Sequence, residues 1–307
     1  MHIAILGAGA MGSLFGGLLA EAGHRVTLLD VDGAHLNAIN ETGLRLTTDA
    51  GERTVANLEA LRPEAAMQPA DLLIVFTKTL HTQAALGAAR AVLGSHTALL
   101  SLQNGLGNAE RLGQFADPAR VMIGVTTWPA DKNGPGRVSS HGAGTIRLMN
   151  ADGAATPMLS RTVEALNDAG LACTADADVW AAIWEKVAFN AALNSLCAVT
   201  GCTVGELTNV ADGESLALKI VAEVAAVARA HGVAVDEAHV SENVRYALAH
   251  HRAHRPSMLQ DVLAGRRTEI EAINGAVVEA ARFKAIAVPH TQTLLQLVRL
   301  VDAKDSR

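Results

Sequence analysis

Aromatic side chains are scarce in this chain: Phe, Trp and Tyr together make up 3% of its 307 residues. A core built without them must rest mostly on Ala, Leu and Val. A basic excess is also missing. Twenty-five Lys and Arg face 31 Asp and Glu, for a net charge of −6, which gives no electrostatic footprint for nucleic acid. Cysteine is sparse: Cys173, Cys197 and Cys202 form no CxxC pair and no even disulfide framework. They read as buried thiols in a reducing cytoplasm. The apolar stretch 13–22 is too short to span a bilayer, so no membrane association is expected. Met1 leads directly into a strand pattern with neither a basic start nor a cleavage site, which reads as a cytoplasmic protein without a signal peptide. His250, His251 and His254 lack a carboxylate or cysteine to complete a metal site, so that stretch reads as a solvated His/Arg loop and no metal is expected.

What is present begins at the second residue. His2–Leu6 is a short apolar run. It enters Gly7-Ala8-Gly9-Ala10-Met11-Gly12 and then an apolar stretch that Gly23 stops. This predicts a strand, a glycine turn and a helix. A second apolar run, Arg25–Leu29, ends in Asp30, eighteen residues after Gly12, completing a dinucleotide fingerprint. Gly7 permits the tight turn and Gly9 lets a pyrophosphate approach the backbone. Ala10 and Met11 open the helix whose free N–H groups and dipole favour an anion. Gly12 allows close packing of helix on strand. Asp30 is placed for the ribose 2′-hydroxyl of NAD.

The length predicts two domains, placed at 1–175 and 176–307. In the first, apolar runs at 71–77, 97–102 and 121–126 alternate with helical stretches. That pattern predicts a Rossmann-type α/β fold, a doubly wound parallel sheet covered on both faces. Arg137–Ser140 and Thr145–Leu148, after the Asn133–Gly136 turn, read as a small antiparallel extension. Helix 155–168 and a short run at 171–175 close this half. The second half has no convincing strand. Its helices are expected at Asp178–Thr200, Ser215–His231, Glu237–His250, Arg267–Phe283 and after Pro289. An all-helical domain packed on the sheet domain, with a cleft between, is the expected arrangement.

Ligands of open α/β sheets bind at the carboxyl ends of the strands. Lys78 follows one strand end, and Gln103-Asn104-Gly105 follows another. Polar side chains there can reach a nicotinamide ribose or a substrate, so we read Lys78 and Asn104 as cofactor-binding. A solvated helix start for Lys78 and a left-handed turn at Asn104-Gly105 are the plainer alternatives. In the helical half, Lys186, Asn190 and Asn194 stand at i, i+4 and i+8, on one helix face among apolar neighbours. Amides and an ammonium in that setting are costly without partners. Farther on, Thr268 and Glu271 have the spacing of a capping box. Glu269 has no such structural role.

Gly7–Gly12, Lys78-Thr79, Gln103-Asn104-Gly105, Trp184-Glu185-Lys186 with Asn190 and Asn194, and Ser257-Met258-Leu259-Gln260-Asp261 with Thr268-Glu269-Ile270 together resemble the ketopantoate reductases (2-dehydropantoate 2-reductases), in order over nearly the whole chain. The resemblance implies Lys186 as the catalytic acid and Glu269 as its active-site carboxylate. It implies substrate binding by Asn190, Asn194 and Ser257, with Asn104 touching both cofactor and substrate. The Lys-x-x-x-Asn spacing also occurs in β-hydroxyacid dehydrogenases, but their Asp-Ala-Pro-Val-Ser-type segment is missing.

In one respect the chain departs from the family pattern. NADPH-using members usually carry a basic residue at the end of the second strand, whereas here Asp30-Val31-Asp32 stands there and no Lys or Arg lies between Arg25 and Arg45. The expectation is therefore a reductase of small branched 2-keto acids giving the (R)-2-hydroxy acid, with NAD preferred and NADP second, in pantothenate biosynthesis. A homodimer is compatible with the apolar residues near the C-terminus. An NAD-dependent D-2-hydroxyacid dehydrogenase of the D-mandelate type is the first alternative. A catalytically inactive NAD-binding sensor is the second, and the retained Lys186 and Glu269 argue against it.

Overall fold

The computed structural model describes residues 1–305 as two compact units. Met1–Gln103 and Asn108–Val179 form the first, and Asn104–Gly107 joins the chain from Trp180 onward in the second. This division differs from the expected 175/176 boundary. Residues 176–178 still belong to the sheet side: the Asp176 N–H donates to the Leu148 carbonyl at 2.9 Å, and its carboxylate pairs with Arg147.

The first unit runs β1 (His2–Leu6), α1 (Ala10–Glu21), β2 (Arg25–Leu29), α2 (Gly33–Thr42), β3 (Leu44–Thr48), β4 (Gly51–Val55), β5 (Leu58–Leu61) and β6 (Leu72–Val75). It continues through α3 (Thr82–Ala88), β7 (Ala98–Ser101), α4 (Asn108–Gly113), β8 (Val121–Thr126), β9 (Asp131–Lys132), β10 (Arg137–Ser139), β11 (Ile146–Asn150), α5 (Pro157–Asp168) and β12 (Cys173–Ala175). Eight strands form the main sheet in the order β12-β11-β8-β7-β6-β1-β2-β5. All its pairs are parallel except β8 with β11. Ile3, Ile5, Leu28, Leu72 and Leu73 are completely buried, as strands covered on both faces require. Helix α5 shows how local sequence fixes an element. The Thr156 hydroxyl accepts from the Leu159 N–H at 3.1 Å, and Pro157 stands first in the helix, where its missing N–H costs nothing.

The stretch expected as a small antiparallel extension divides between two sheets. β11 joins the main sheet, but β10 joins a separate four-stranded sheet, β4-β3-β10-β9, lying parallel to β3 and antiparallel to β9. Its partner hairpin, β3–β4, carries Arg45, Glu52 and Arg53 and no long apolar run, so it gave little sequence signal.

The second unit comprises α6 (Val179–Thr200), α7 (Ala211–Ala230), α8 (Glu237–His250), α9 (Ser257–Leu263), α10 (Ala276–Phe283) and α11 (Pro289–Asp305). The single helix expected over 267–283 is broken. Arg266–Ile270 is irregular, Glu271–Gly275 is a π-helical turn, and only then does α10 begin. The expected capping box does not form. Thr268 donates through its N–H and hydroxyl to the Asp302 carboxylate at 3.2 and 2.9 Å, and Glu271 takes two hydrogen bonds from Arg299, both at 2.6 Å. Cys173 and Cys197 are buried, whereas Cys202 is partly exposed. Among the described residues, no helix is long and apolar enough to cross a membrane and no cluster of His, Cys, Asp or Glu could hold a metal.

Candidate active site

In the first unit, the ends of β1, β2 and β6 open on a cavity of about 450 Å³. Gly7, Gly9, Asp30, Thr77, Lys78 and His81 are among the residues lining it. Gly7 has φ +97°, and a Cβ there would lie 2.5 Å from the Thr77 nitrogen. A Cβ on Gly12 would lie 2.0 Å from the Gly7 carbonyl oxygen, so α1 can approach the turn this closely only with glycine there. A Cβ on Gly9 would meet nothing within 4 Å, which leaves its backbone open to a ligand. Gly9 precedes α1 without any side-chain cap. The first-turn N–H groups, at Ala10 and Met11, thus lack an intrahelical partner. The structure therefore fits a dinucleotide: an open glycine approach, an uncapped helix N-terminus and a cavity beside them.

Asp30 sits on the rim of this cavity. One of its carboxylate oxygens accepts from the Val31 and Asp32 N–H groups at 2.7 and 3.0 Å, which holds the carboxylate at the strand end. Asp32 caps α2, accepting from the His35 N–H at 3.2 Å. Lys132 pairs with Asp32 at 2.7 Å and holds its carboxyl below the usual range. The guanidinium of Arg62 lies 3.8 Å from where a Cβ on Gly33 would stand. So the acidic turn, which has no basic neighbour in sequence, has two in space. Lys132 arrives from β9, and Arg62 follows the end of β5, the strand paired with β2. Both lie outside residues 25–45, so the sequence around the turn carries no sign of them.

Lys78 follows β6 and lines the cavity with the glycine turn. Gln103, two residues beyond β7, is a structural brace. Its amide donates to the Thr77 carbonyl at 2.5 Å and the Thr82 hydroxyl at 2.8 Å, and its carbonyl accepts from Ser101 at 2.9 Å. Asn104, the next residue, belongs to the second unit. There the Leu106 N–H donates to the Ala272 carbonyl at 2.9 Å. Gly105, at φ +86°, passes so close that a Cβ would lie 2.4 Å from the same oxygen.

Within the second unit, α6 carries Lys186, Asn190 and Asn194 along one face, with both asparagines buried. Burial pulls the Lys186 ammonium down to about 8, while the nearby Glu269 carboxylate pushes the other way. Glu269 lies in the irregular segment just before the π-turn. Two completely buried residues fasten that turn to α6: Ser195 donates to the Asn274 side-chain oxygen at 2.7 Å, and the Asn274 amide donates to the Ala191 carbonyl at 3.2 Å. Neither Ser195 nor Asn274 stood out in the sequence, because one buried polar pair 79 residues apart leaves no local pattern. Ser257 opens α9 and is exposed. Asn104, Lys186, Asn190, Asn194, Ser257 and Glu269 thus belong to one unit, and the glycine turn, Asp30 and Lys78 to the other.

A glycine turn of this geometry, at the end of the first strand of a doubly wound sheet and beside an open cavity, defines a dinucleotide-binding protein. The family model for "Ketopantoate reductase PanE/ApbA" matches residues 3–153, and that for its C-terminal part matches 178–302. The chain belongs to the ketopantoate reductase family. It is 36% identical to a 2-dehydropantoate 2-reductase of Streptococcus pyogenes serotype M3, over 99% of this chain and 98% of the relative. Among solved structures, D-mandelate dehydrogenase with NADH and anilino(oxo)acetate superposes with a TM-score of 0.94 at 29% identity, covering all of both chains. A PanE/ApbA family ketopantoate reductase from Ralstonia eutropha JMP134 superposes with a TM-score of 0.92 at 33% identity, also over all of both chains. The chain is accordingly an oxidoreductase of the 2-dehydropantoate 2-reductase kind, and its cofactor is a nicotinamide dinucleotide.

Proposed function

We propose that the protein reduces the 2-keto group of a small branched 2-keto acid, ketopantoate first among them, to the (R)-2-hydroxy acid, with NADH preferred over NADPH. The observation that carries this reading is Lys186, an ammonium lowered to about 8 by burial with Glu269 close enough to act on it electrostatically. A general acid works best with a pKa near the operating pH. The bound cofactor supplies the hydride that reaches the keto carbon. Lys186 stabilises the charge growing on the keto oxygen and gives it a proton, so 2-keto acid, NADH and one proton become 2-hydroxy acid and NAD⁺. Glu269 favours the charged lysine before transfer. Asn190, Asn194 and Ser257 hold the substrate, and Asn104 reaches both substrate and cofactor. Gly7, Gly9, Ala10, Met11 and Gly12 carry the pyrophosphate, Lys78 lies beside the bound cofactor, and Asp30 takes the ribose hydroxyl.

A second reading, an NAD-dependent D-2-hydroxyacid dehydrogenase of the D-mandelate type, draws support from the acidic end of β2 and from the D-mandelate dehydrogenase likeness. The test is NADH oxidation with ketopantoate, phenylglyoxylate and 2-ketoisovalerate side by side. The first reading requires the highest kcat/KM with ketopantoate. A preference for phenylglyoxylate transfers the assignment to the second, and turnover of none of the three ends both.

A further inference from the structure

His35 is completely buried in the first turn of α2, an unusual place for a titratable ring. Both ring nitrogens are engaged. Nδ1 accepts from the Gly136 N–H at 2.9 Å, so the ring proton is on Nε2. Nε2 lies 2.9 Å from the Ser13 hydroxyl, to which it donates. Ser13 in turn donates to the Ala8 carbonyl at 2.8 Å. The chain of donors therefore runs in one direction, from Gly136 to His35 to Ser13 to Ala8.

Its end point is the glycine turn. A peptide unit is planar and trans, so fixing the Ala8 carbonyl fixes the opposite direction of the Gly9 N–H. Gly9 is the residue whose approach is open and whose N–H stands at the uncapped start of α1. The other end is anchored as firmly. Gly136, at φ +67°, brings its N–H to the imidazole from the turn between β9 and β10, and a Cβ there would press to 3.0 Å from that of Ala38. Asp32, paired with Lys132, holds the His35 N–H. Burial, then Lys132, keeps His35 below the ordinary histidine range despite Asp32 and Asp30, which favours the neutral ring this chain needs.

We propose that His35 is a positioning residue for dinucleotide binding, acting through Ser13 to set the Ala8–Gly9 peptide plane. The inference rests on the cofactor occupying the glycine turn, as proposed above. It goes further in linking that turn to α2 and to the β9–β10 turn through one buried chain of hydrogen bonds.

The experiment measures the Kd for NADH by calorimetry, and KM for the keto acid at saturating NADH, in wild type, His35→Phe, His35→Gln, Ser13→Ala and the His35→Phe/Ser13→Ala double variant. Loss of the oriented bond is expected to raise the NADH Kd about fivefold to tenfold in both His35→Phe and Ser13→Ala. The double variant should be no worse than His35→Phe, since both break one chain. His35→Gln, whose amide can donate to Ser13, should recover part of the affinity. The keto-acid KM should stay within about twofold throughout, because only cofactor binding is uniformly weakened. Ser13→Ala leaves no buried group of the β9–β10 turn unpaired, so it decides the matter should His35→Phe fail to fold. An unchanged NADH Kd in Ser13→Ala, or a keto-acid KM that rises in step with it, overturns the proposal. Gly9→Val separates the underlying placement. If it too leaves NADH binding intact, the dinucleotide does not sit at the turn and both inferences fall. If it abolishes binding while Ser13→Ala changes nothing, only the positioning role falls.

Discussion

Burial pulls the Lys186 ammonium down to about 8, and Glu269 is the charge that pushes back. The pairing has a direct kinetic consequence. With Lys186 as the acid proposed above, reduction needs the protonated lysine, which is present below its pKa and lost as pH rises through it. The expected profile of kcat/KM for reduction therefore turns down above pH about 8. In Glu269→Gln the opposing charge is gone and the downturn moves to lower pH. Lys186→Ala should cost about 10²–10⁴ in kcat while NADH affinity stays near wild type. A profile that stays level to pH 10, or a Lys186→Ala variant with near-normal kcat, removes Lys186 from the chemistry.

Ser195 and Asn274 fasten the π-turn to α6, and π-turns are frequent at functional sites. Ser195→Ala leaves the buried Asn274 oxygen without its donor. The expected cost is about 1–3 kcal/mol in stability. Because the turn follows Glu269 directly, kcat should fall as well, and the pH downturn should move towards that of Glu269→Gln. Denaturant midpoints and the pH–rate profile check the two parts separately. A variant that loses stability but keeps the wild-type profile confines the pair to a structural role.

Glu223 sets a pH dependence of stability. Burial pushes its carboxyl up, but donors from Thr291 and His290 outweigh that and hold it below the usual range. It accepts from both backbone N–H groups, from the Thr291 hydroxyl and from His290 Nδ1, at 2.6 to 3.0 Å, so it caps α11 from a distant helix. A depressed carboxyl contributes stability above its unfolded pKa and loses it as pH falls through the lower folded value. Unfolding midpoints of the wild type should therefore decline in acid more steeply than those of Glu223→Gln. At neutral pH the Gln variant should be less stable by about 1–3 kcal/mol. Equal stability of the two proteins at pH 7 would falsify the capping role.

The opening fingerprint was legible because every part of it is local: strand, turn, helix, second strand and Asp30 fall within thirty residues. The Lys186–Asn190–Asn194 face was legible for the same reason, since a helix of regular period carries it. What was hidden depends on distant pairing. β10 joins β3 across about ninety residues of chain, so its strand was visible but its sheet was not. The break in the 267–283 helix is decided by partners at Asp302, Arg299 and Ser195, none of which a local periodicity registers. Arg62 and Lys132 reach the acidic turn only after β5 pairs with β2 and β9 folds back.

Those two cations bear on cofactor choice. In the binding mode proposed above Asp30 takes the ribose 2′-hydroxyl of NAD, and a 2′-phosphate there would face its carboxylate. Two unit charges about 4 Å apart repel by roughly 4 kcal/mol at an effective dielectric near 20, before screening reduces it. A quarter of that is about fivefold in affinity. Lys132 does little to offset it, because Asp32 already neutralises it at 2.7 Å. Arg62 lies beside Gly33 with its side chain exposed, so it gives a phosphate a partial, screened partner. The expected wild type therefore favours NADH in kcat/KM yet retains measurable NADPH use. Asp30→Ala should narrow or invert the ratio. Arg62→Ala should lower the NADPH value several-fold and leave the NADH value unchanged. The check is kcat/KM with both cofactors for wild type and the two variants at low and moderate salt, with the Arg62 effect shrinking as salt rises. A wild type that favours NADPH, or an Asp30→Ala variant with the wild-type ratio, removes Asp30 as the discriminator. An Arg62→Ala variant that loses NADH and NADPH activity equally assigns Arg62 to the fold rather than to the phosphate.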